Sequence, residues 1–351
     1  MKILNSLNLP IALSSIFLIS IGTLVIYSSS KELAFQQMLF TVFGLVFFLG
    51  LSQLDIQALT KFIKPLYFFI ILLLSVVLIW GFETRGVIRW IPLGFFNIQP
   101  SEFAKPVLIL SLAYFWAKAA PTWINIFKSL LIISPIVLLI FKQPDLGSSL
   151  TLMAIWLGML FASRAHFKKI AILILIASLI IPSGWFFLRQ YQRERITGFF
   201  APQSDPLGGG YNQIQSTIAV GSGQLFGRGL GRGTQSRLQF LPEYRTDFIF
   251  ASTVEEIGFT GALIILAIYL FLLTFCLKIA SRVSDNFDFL LVIGIFSMLI
   301  CQIFVNIGMN IGILPITGIT LPLISYGGSS LIATFIALGL LASVAKSAKV
   351  R

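Results

Sequence analysis

One histidine, two cysteines and little charge set the limits of this chain. His166 stands in a short basic turn, so a histidine metal cluster and a histidine-activated nucleophile both lack their parts. Cys276 and Cys301 fall inside apolar stretches, where they read as small buried hydrophobes and offer neither a disulfide framework nor a metal cluster. Charged residues are 11% of the 351, against roughly 25% in soluble domains, which excludes an ordinary soluble fold. The net charge of +12 does not make a nucleic-acid-binding protein, because the basic residues sit mostly at the ends of apolar stretches. What is present is hydrocarbon. Hydrophobic residues are 57% of the chain and the mean hydropathy is +0.95. Runs of about 20 apolar residues span a bilayer, so the expected fold is an all-α polytopic membrane protein, a single unit over 1–351.

About ten spans are expected, at 10–28, 36–52, 65–81, 101–118, 124–141, 148–163, 169–187, 252–277, 288–311 and 324–345. Met1-Lys2 followed by an apolar run resembles a signal peptide in outline, but further apolar segments follow at once, and it reads as a retained first span. An even number of spans puts both termini on one side. With the termini inside, Lys61, Lys64, Lys118, Lys128, Arg164, Lys168, Lys169, Lys278, Arg282, Lys346 and Lys349 face the cytoplasm, as the positive-inside rule asks. One large loop, about 189–247 between the seventh and eighth spans, then faces outward. It carries Arg189, Arg193, Arg195, Arg228, Arg232, Arg237 and Arg245, while no lysine occurs between Lys169 and Lys278. Arginine presents a planar donor fork suited to phosphate and carboxylate, so at least two of these side chains are expected on a phosphorylated headgroup; contacts with ordinary anionic lipid are the plainer alternative.

The polar chemistry outside the spans gathers on that same face. Arg89-Trp90 and Gln99-Pro100-Ser101-Glu102 precede the fourth span, where Ser101 suits an N-cap and Glu102 can pair with Lys105 at i,i+3. That pair either neutralises charge entering the membrane or lines a polar cavity. Asp145 is placed to cap the sixth span or to meet an arginine or a divalent ion. In the large loop, Tyr191–Phe199 and Tyr211–Ala219 are compatible with helix, and Gly221, Gly223, Gly227, Gly229, Gly231 and Gly233 could form an anion nest. Glu243, Arg245 and Asp247 lie at headgroup depth before the eighth span. Thr246 or Asp247 would cap it, and a partly buried carboxylate there could have the raised pKa of a general base. The segment from Asn306 through Asn310, Pro315, Gly318 and Pro322 to Ser325 and Ser329 puts irregular backbone at membrane depth, which must be buried or line a cavity, and it reads as one wall of a ligand groove.

Arg89-Trp90-Ile91 with Gln99 to Lys105, Gln143-Pro144-Asp145-Leu146-Gly147, Thr246-Asp247-Phe248 with Glu255-Glu256, and Pro322 through Ser329 together resemble the shape, elongation, division and sporulation family of polytopic peptidoglycan glycosyltransferases. The resemblance covers essentially the whole chain. Asp205 to Tyr211, Gln215-Ser216 and Gly233 to Ser236 make it more similar to the elongation-specific members than to the division paralogues, with one departure: Arg245 stands where those members commonly have histidine. An arginine supplies charge but cannot act as a base. The resemblance implies an enzyme of the bacterial inner membrane that polymerises lipid II outside the cell membrane, with inversion and release of undecaprenyl diphosphate. It implies Asp247 as the catalytic carboxylate, and a substrate site drawn from Arg89, Glu102, Lys105, Asp145, Arg193, Arg195, Glu243, Arg245, Ser325 and Ser329. A divalent cation, Mg or Mn, is compatible with the substrate diphosphate, and no dedicated metal cage is visible. The implied partners are the growing undecaprenyl-linked glycan, a class B penicillin-binding protein transpeptidase and the elongation machinery.

Two other functions fit a helical bundle with a polar face. A lipid II flippase should carry polar groups midway through its spans and on the inner face, and spans one, two, seven and ten carry almost none. A scaffold that only recruits wall enzymes would tolerate loss of Asp247 and the arginines.

Overall fold

A computed structural model describes residues 8–84, 87–92, 97–188 and 190–350; Arg85 and Arg189 lie outside them. The chain is a multi-pass helical membrane protein. Its long helices are α1 (Leu9–Ser29), α2 (Lys31–Gln53), α3 (Ile63–Trp80), α4 (Pro100–Trp116), α5 (Trp123–Lys142), α6 (Leu146–Ala162), α7 (Phe167–Ile180), α8 (Gln190–Phe200), α9 (Tyr211–Ser222), α10 (Ile249–Ala280), α11 (Asn286–Asn310) and α12 (Gly328–Ser347). Among the described residues, eight helical segments are long and apolar enough to cross a membrane. The other two expected spans, 101–118 and 148–163, are the 17-residue helices α4 and α6. The seventh expected span tightens to a 3₁₀ turn from Ile181, beside Pro182, which cannot continue an α-helix.

Local chemistry sets many of the ends. Ser30 caps α2 through the Leu33 amide, Thr122 caps α5 through Asn125, and Asp285 accepts from the Phe287 and Asp288 amides at the start of α11. Two expected caps do not form. Pro100 occupies the first turn of α4, so Gln99 is the capping position and Ser101 lies inside the helix. The α10 helix begins after Phe248, which takes the capping position in place of Thr246 or Asp247. The all-α expectation also needs one amendment. Phe82–Thr84, Val87–Pro92 and Asn97–Ile98 form a small antiparallel sheet in chain order, pairing Phe82 with Trp90 and Ile91 with Ile98. Its Thr, Val, Ile and Trp content is that of strands.

Burial runs inward to α11 and α12. The α12 helix is buried along almost its whole length and packs most extensively on α2; α11 packs on α6, α10 and α4. By contrast α7 is exposed to the surroundings over nearly every turn.

The glycine-rich run solves a backbone problem. Helix α10 is interrupted at Gly258, whose φ of 84° is open only to glycine at little cost. Segment 224–229 enters the break. The amides of Arg228 and Gly229 donate to the carbonyls of Glu255 and Glu256, and the amides of Phe259 and Thr260 donate to the carbonyls of Gln224 and Leu225. A Cβ on Gly227 would come within 2.2 Å of the Glu256 carbonyl oxygen, so the two backbones touch only because both residues are glycine. The amides of Gly227, Arg228 and Gly229, expected as part of an anion nest, are therefore spent on the protein's own carbonyls.

Candidate active site

The polar end of the bundle holds two carboxylates flanking the segment 317–320. The first is Asp145, which caps α6. Its oxygens accept from the Ser148 amide at 3.1 Å, the Ser148 hydroxyl at 2.8 Å, and Ser101 and Gln99 at 3.2 Å each. Arg89 approaches to 3.9 Å, while its Nε and Nη2 donate to the carbonyls of Gln143 and Pro144. Both uses expected of Asp145, cap and arginine partner, are realised together. Ser329 joins this group by accepting the Gln99 amide at 3.0 Å and donating to the Asn97 carbonyl. One turn further along α4, Lys105 and Glu102 form a buried pair at 2.7 Å. A buried ion pair of this kind is costly to break from either side, so it fixes both side chains toward the interior.

The second carboxylate is Asp247, half-buried on the turn before α10. Its main-chain carbonyl is gripped by the side-chain amides of Asn306 at 2.9 Å and Asn310 at 3.0 Å. Asn306 also donates to the Ile319 carbonyl at 2.7 Å, and Asn310 accepts the Ala251 amide at 2.9 Å, so one amide pair ties α11, α10 and segment 317–320 together. On the other side Ser325 donates to the Thr246 carbonyl at 2.6 Å and accepts the Leu321 amide at 2.8 Å. The Asp247 carboxylate then stands over Gly318. A Cβ built on that glycine would lie 3.5 Å from Asp247 Oδ2 and 3.7 Å from Arg195 Nη1, which brings the acid and an arginine of α8 to one spot. The same segment lies against α6 next to Asp145: a Cβ on Gly147 would meet the Thr317 carbonyl at 2.8 Å and Ile319 at 2.7 Å.

The remaining expected site residues have other neighbours. Arg245 sends its guanidinium to Ser29 at the end of α1, donating to Oγ at 2.8 Å, and lies 4.6 Å from the Tyr244 ring. Arg193 donates to the carbonyls of Trp185 and Phe186. Glu243 accepts from the Thr246 hydroxyl at 3.0 Å inside its own turn. Three residues of the segment expected as a groove wall shape the site: Asn306, Asn310 and Gly318. Two carboxamides four residues apart in an apolar span are the sequence signal for the first two, since such groups need partners inside a membrane.

Glu255 is a further fixed point. It is fully buried and accepts from Thr234, from the Gln235 amide, and from the amide and hydroxyl of Ser236. Glu256 accepts from Ser28 at 2.8 Å. Both hold the large loop onto α10 and α1. Among the described residues, no three His, Cys, Asp or Glu side chains gather as a metal site.

The profile of a family described as cell cycle protein, FtsW/RodA/SpoVE, matches residues 2–350. The peptidoglycan glycosyltransferase MrdB of Escherichia coli strain K12 is 41% identical over 304 residues, covering 86% of this chain and 82% of that protein. Among solved structures, a chain of a peptidoglycan synthase complex, in a study of how polymerisation and crosslinking are coordinated, superposes with a TM-score of 0.84 at 30% identity over 96% of this chain and 97% of that one. The crystal structure of the rod shape determining protein RodA of Thermus thermophilus gives a TM-score of 0.73 at 28% identity, covering 97% of each chain.

Proposed function

We propose a division of labour within this site from one premise: the chain belongs to the FtsW, RodA and SpoVE family of cell cycle proteins. It is a peptidoglycan glycosyltransferase that polymerises lipid II. The GlcNAc 4-hydroxyl of one lipid II attacks C1 of the MurNAc at the end of the growing strand. The bond from C1 to the diphosphate breaks, undecaprenyl diphosphate leaves with the bonding electrons, and the configuration inverts from α to β. The hydroxyl proton passes to Asp247. Because the leaving group is already anionic, it needs positive charge more than an acid, and Arg195 supplies that charge beside the base. A divalent ion arriving with the diphosphate would add to it, held by the phosphates' own oxygens. The buried Glu102–Lys105 pair and Arg195 seat the headgroups, with Arg89, Asp145, Ser325 and Ser329 shaping the wall.

The orientation follows the charge pattern. Ten spans, with both termini in the cytoplasm, put the loop of about 189–247 and Asp247 on the outer face, and basic residues at the opposite end. The likeness to a chain of a peptidoglycan synthase complex supports a crosslinking partner, a class B penicillin-binding protein transpeptidase serving elongation.

The observation that carries the assignment is the meeting of Asp247 and Arg195 over Gly318. It is tested by giving lipid II to purified Asp247→Asn and following polymer on a gel. Asparagine keeps the size and removes the proton acceptor, so turnover should fall by about 10² to 10⁴-fold with the thermal midpoint unchanged. Retention of more than about a tenth of wild-type turnover would remove Asp247 from the role.

A further inference from the structure

At the end of the bundle away from Asp247, helices α3, α4 and α5 leave a cleft of about 720 Å³. Its walls are apolar and aromatic, with Tyr67, Phe68, Phe115 and Ile132 among them. Three lysines from three different helices or their ends, Lys64, Lys118 and Lys128, stand around it. Among the described residues no aspartate or glutamate lines this cleft, and no carboxylate pairs with any of the three lysines. Lys118 donates to the Tyr114 hydroxyl at 2.9 Å and lies 4.0 Å from that ring, which holds its ammonium at the cleft without neutralising it. Tyr67, on the wall, spends its own hydroxyl on the Ile132 carbonyl at 2.7 Å. A neighbouring cavity of about 500 Å³ shares Lys118 and is also lined by Arg164 and Asp285, so it mixes both signs of charge.

Ordinary snorkelling carries each lysine to the nearest water independently. It gives no reason for three helices to converge their ammonium groups on one acid-free cleft. An uncompensated cluster beside an apolar slot is matched by a molecule with an anionic head and a hydrocarbon tail, and basic pockets between helices at a membrane surface hold such headgroups. We propose that this cleft binds an anionic phospholipid of the surrounding leaflet, its phosphate among Lys64, Lys118 and Lys128 and an acyl chain along Tyr67, Phe68 and Ile132. The site is separate from the polymerisation site and does not depend on the assignment of Asp247.

The experiment uses the full chain in nanodiscs or detergent, titrated with dioleoyl phosphatidylglycerol, dioleoyl phosphatidylcholine or inorganic phosphate, with bound lipid counted by native mass spectrometry. Wild-type protein should retain phosphatidylglycerol in preference to phosphatidylcholine, and excess inorganic phosphate should not displace it. Combined Lys64→Gln, Lys118→Gln and Lys128→Gln should weaken that retention by about ten-fold or more. Combined Lys278→Gln, Lys346→Gln and Lys349→Gln, an equal loss of charge elsewhere at the same end, should leave it unchanged. Equal loss in both triple variants would replace the site by diffuse surface charge, and displacement by inorganic phosphate would mean an anion site without a lipid tail; either result overturns the proposal. If the first triple fails to fold, Lys→Arg at the three positions should restore folding together with phosphatidylglycerol preference, and a folded arginine variant without that preference would equally refute it.

Discussion

Asp145 and Asp247 share one end of the bundle and one neighbouring segment, yet they are held in opposite ways. Asp145 is nearly sealed from solvent and its carboxylate takes donors from Gln99, Ser101 and Ser148. At Asp247 the main chain is gripped as well: Asn306 and Asn310 fasten its carbonyl, Ser325 fastens the carbonyl of the residue before it, and the half-buried carboxylate stands over Gly318 beside Arg195. An acid whose oxygens are saturated by the fold serves the fold. An acid whose backbone is fixed and whose half-buried carboxylate stands beside an arginine is placed for a reacting group, because catalytic geometry needs a rigid support under a reachable atom.

The largest effects should break this contrast if it is false. Asp247→Asn should cost two to four orders of magnitude in turnover, about what general base catalysis supplies, with little change in thermal midpoint. Asp145→Ala should do the reverse, removing a helix cap and stranding buried donors at about 3 kcal/mol, while polymer made per folded molecule stays within about ten-fold of wild type. A stable but inactive Asp145→Ala would make the two acids partners in chemistry and end the distinction. Asn310→Ala falls between them. It removes one of the two donors on the Asp247 carbonyl and leaves the Ala251 amide unmet, costing about 1–3 kcal/mol for that buried group, and turnover should fall by about ten-fold even at temperatures where the variant is folded. Unaltered turnover in folded Asn310→Ala would show that the main-chain grip is irrelevant to the reaction.

Two smaller effects sharpen the picture. Gly318 has a φ of 76°, and a methyl there would press toward both Asp247 and Arg195. Gly318→Ala should cost about 1–2 kcal/mol in backbone strain and lower turnover several-fold beyond the loss of folded protein. Arg245 is occupied by Ser29 and Tyr244, so Arg245→His should change turnover by no more than about three-fold, the range of a substitution away from the reacting groups. A drop of about a hundred-fold in that variant would bring Arg245 back to the substrate.

Most helices were legible because hydropathy runs at the scale of a bilayer, and α8 and α9 were visible through their periodicity. What could not be read was the use of a side chain across elements. Ser101 has the residue type of an N-cap, but Pro100 takes the first turn and frees the hydroxyl for Asp145 on another helix. Thr246 and Asp247 stand where a cap belongs, yet Thr246 bonds Glu243 and Asp247 is held by α11. The small sheet escaped notice because two- to six-residue strands between spans carry too few residues to show alternation. The loop glycines suggested an anion nest, whereas the amides of Arg228 and Gly229 serve the interrupted α10 helix.

That interruption bears on how the protein is made. Four main-chain groups of α10, the carbonyls of Glu255 and Glu256 and the amides of Phe259 and Thr260, find their partners only in residues 224–229, which leave the ribosome earlier. A nascent α10 that enters the bilayer without this loop docked in its break carries four unmet polar groups into a place where each costs several kcal/mol. Completing the span therefore asks for the loop to dock as well, and a lesion at Gly227 or Gly258 should surface first as a loss of folded protein in the membrane, ahead of any defect in catalysis.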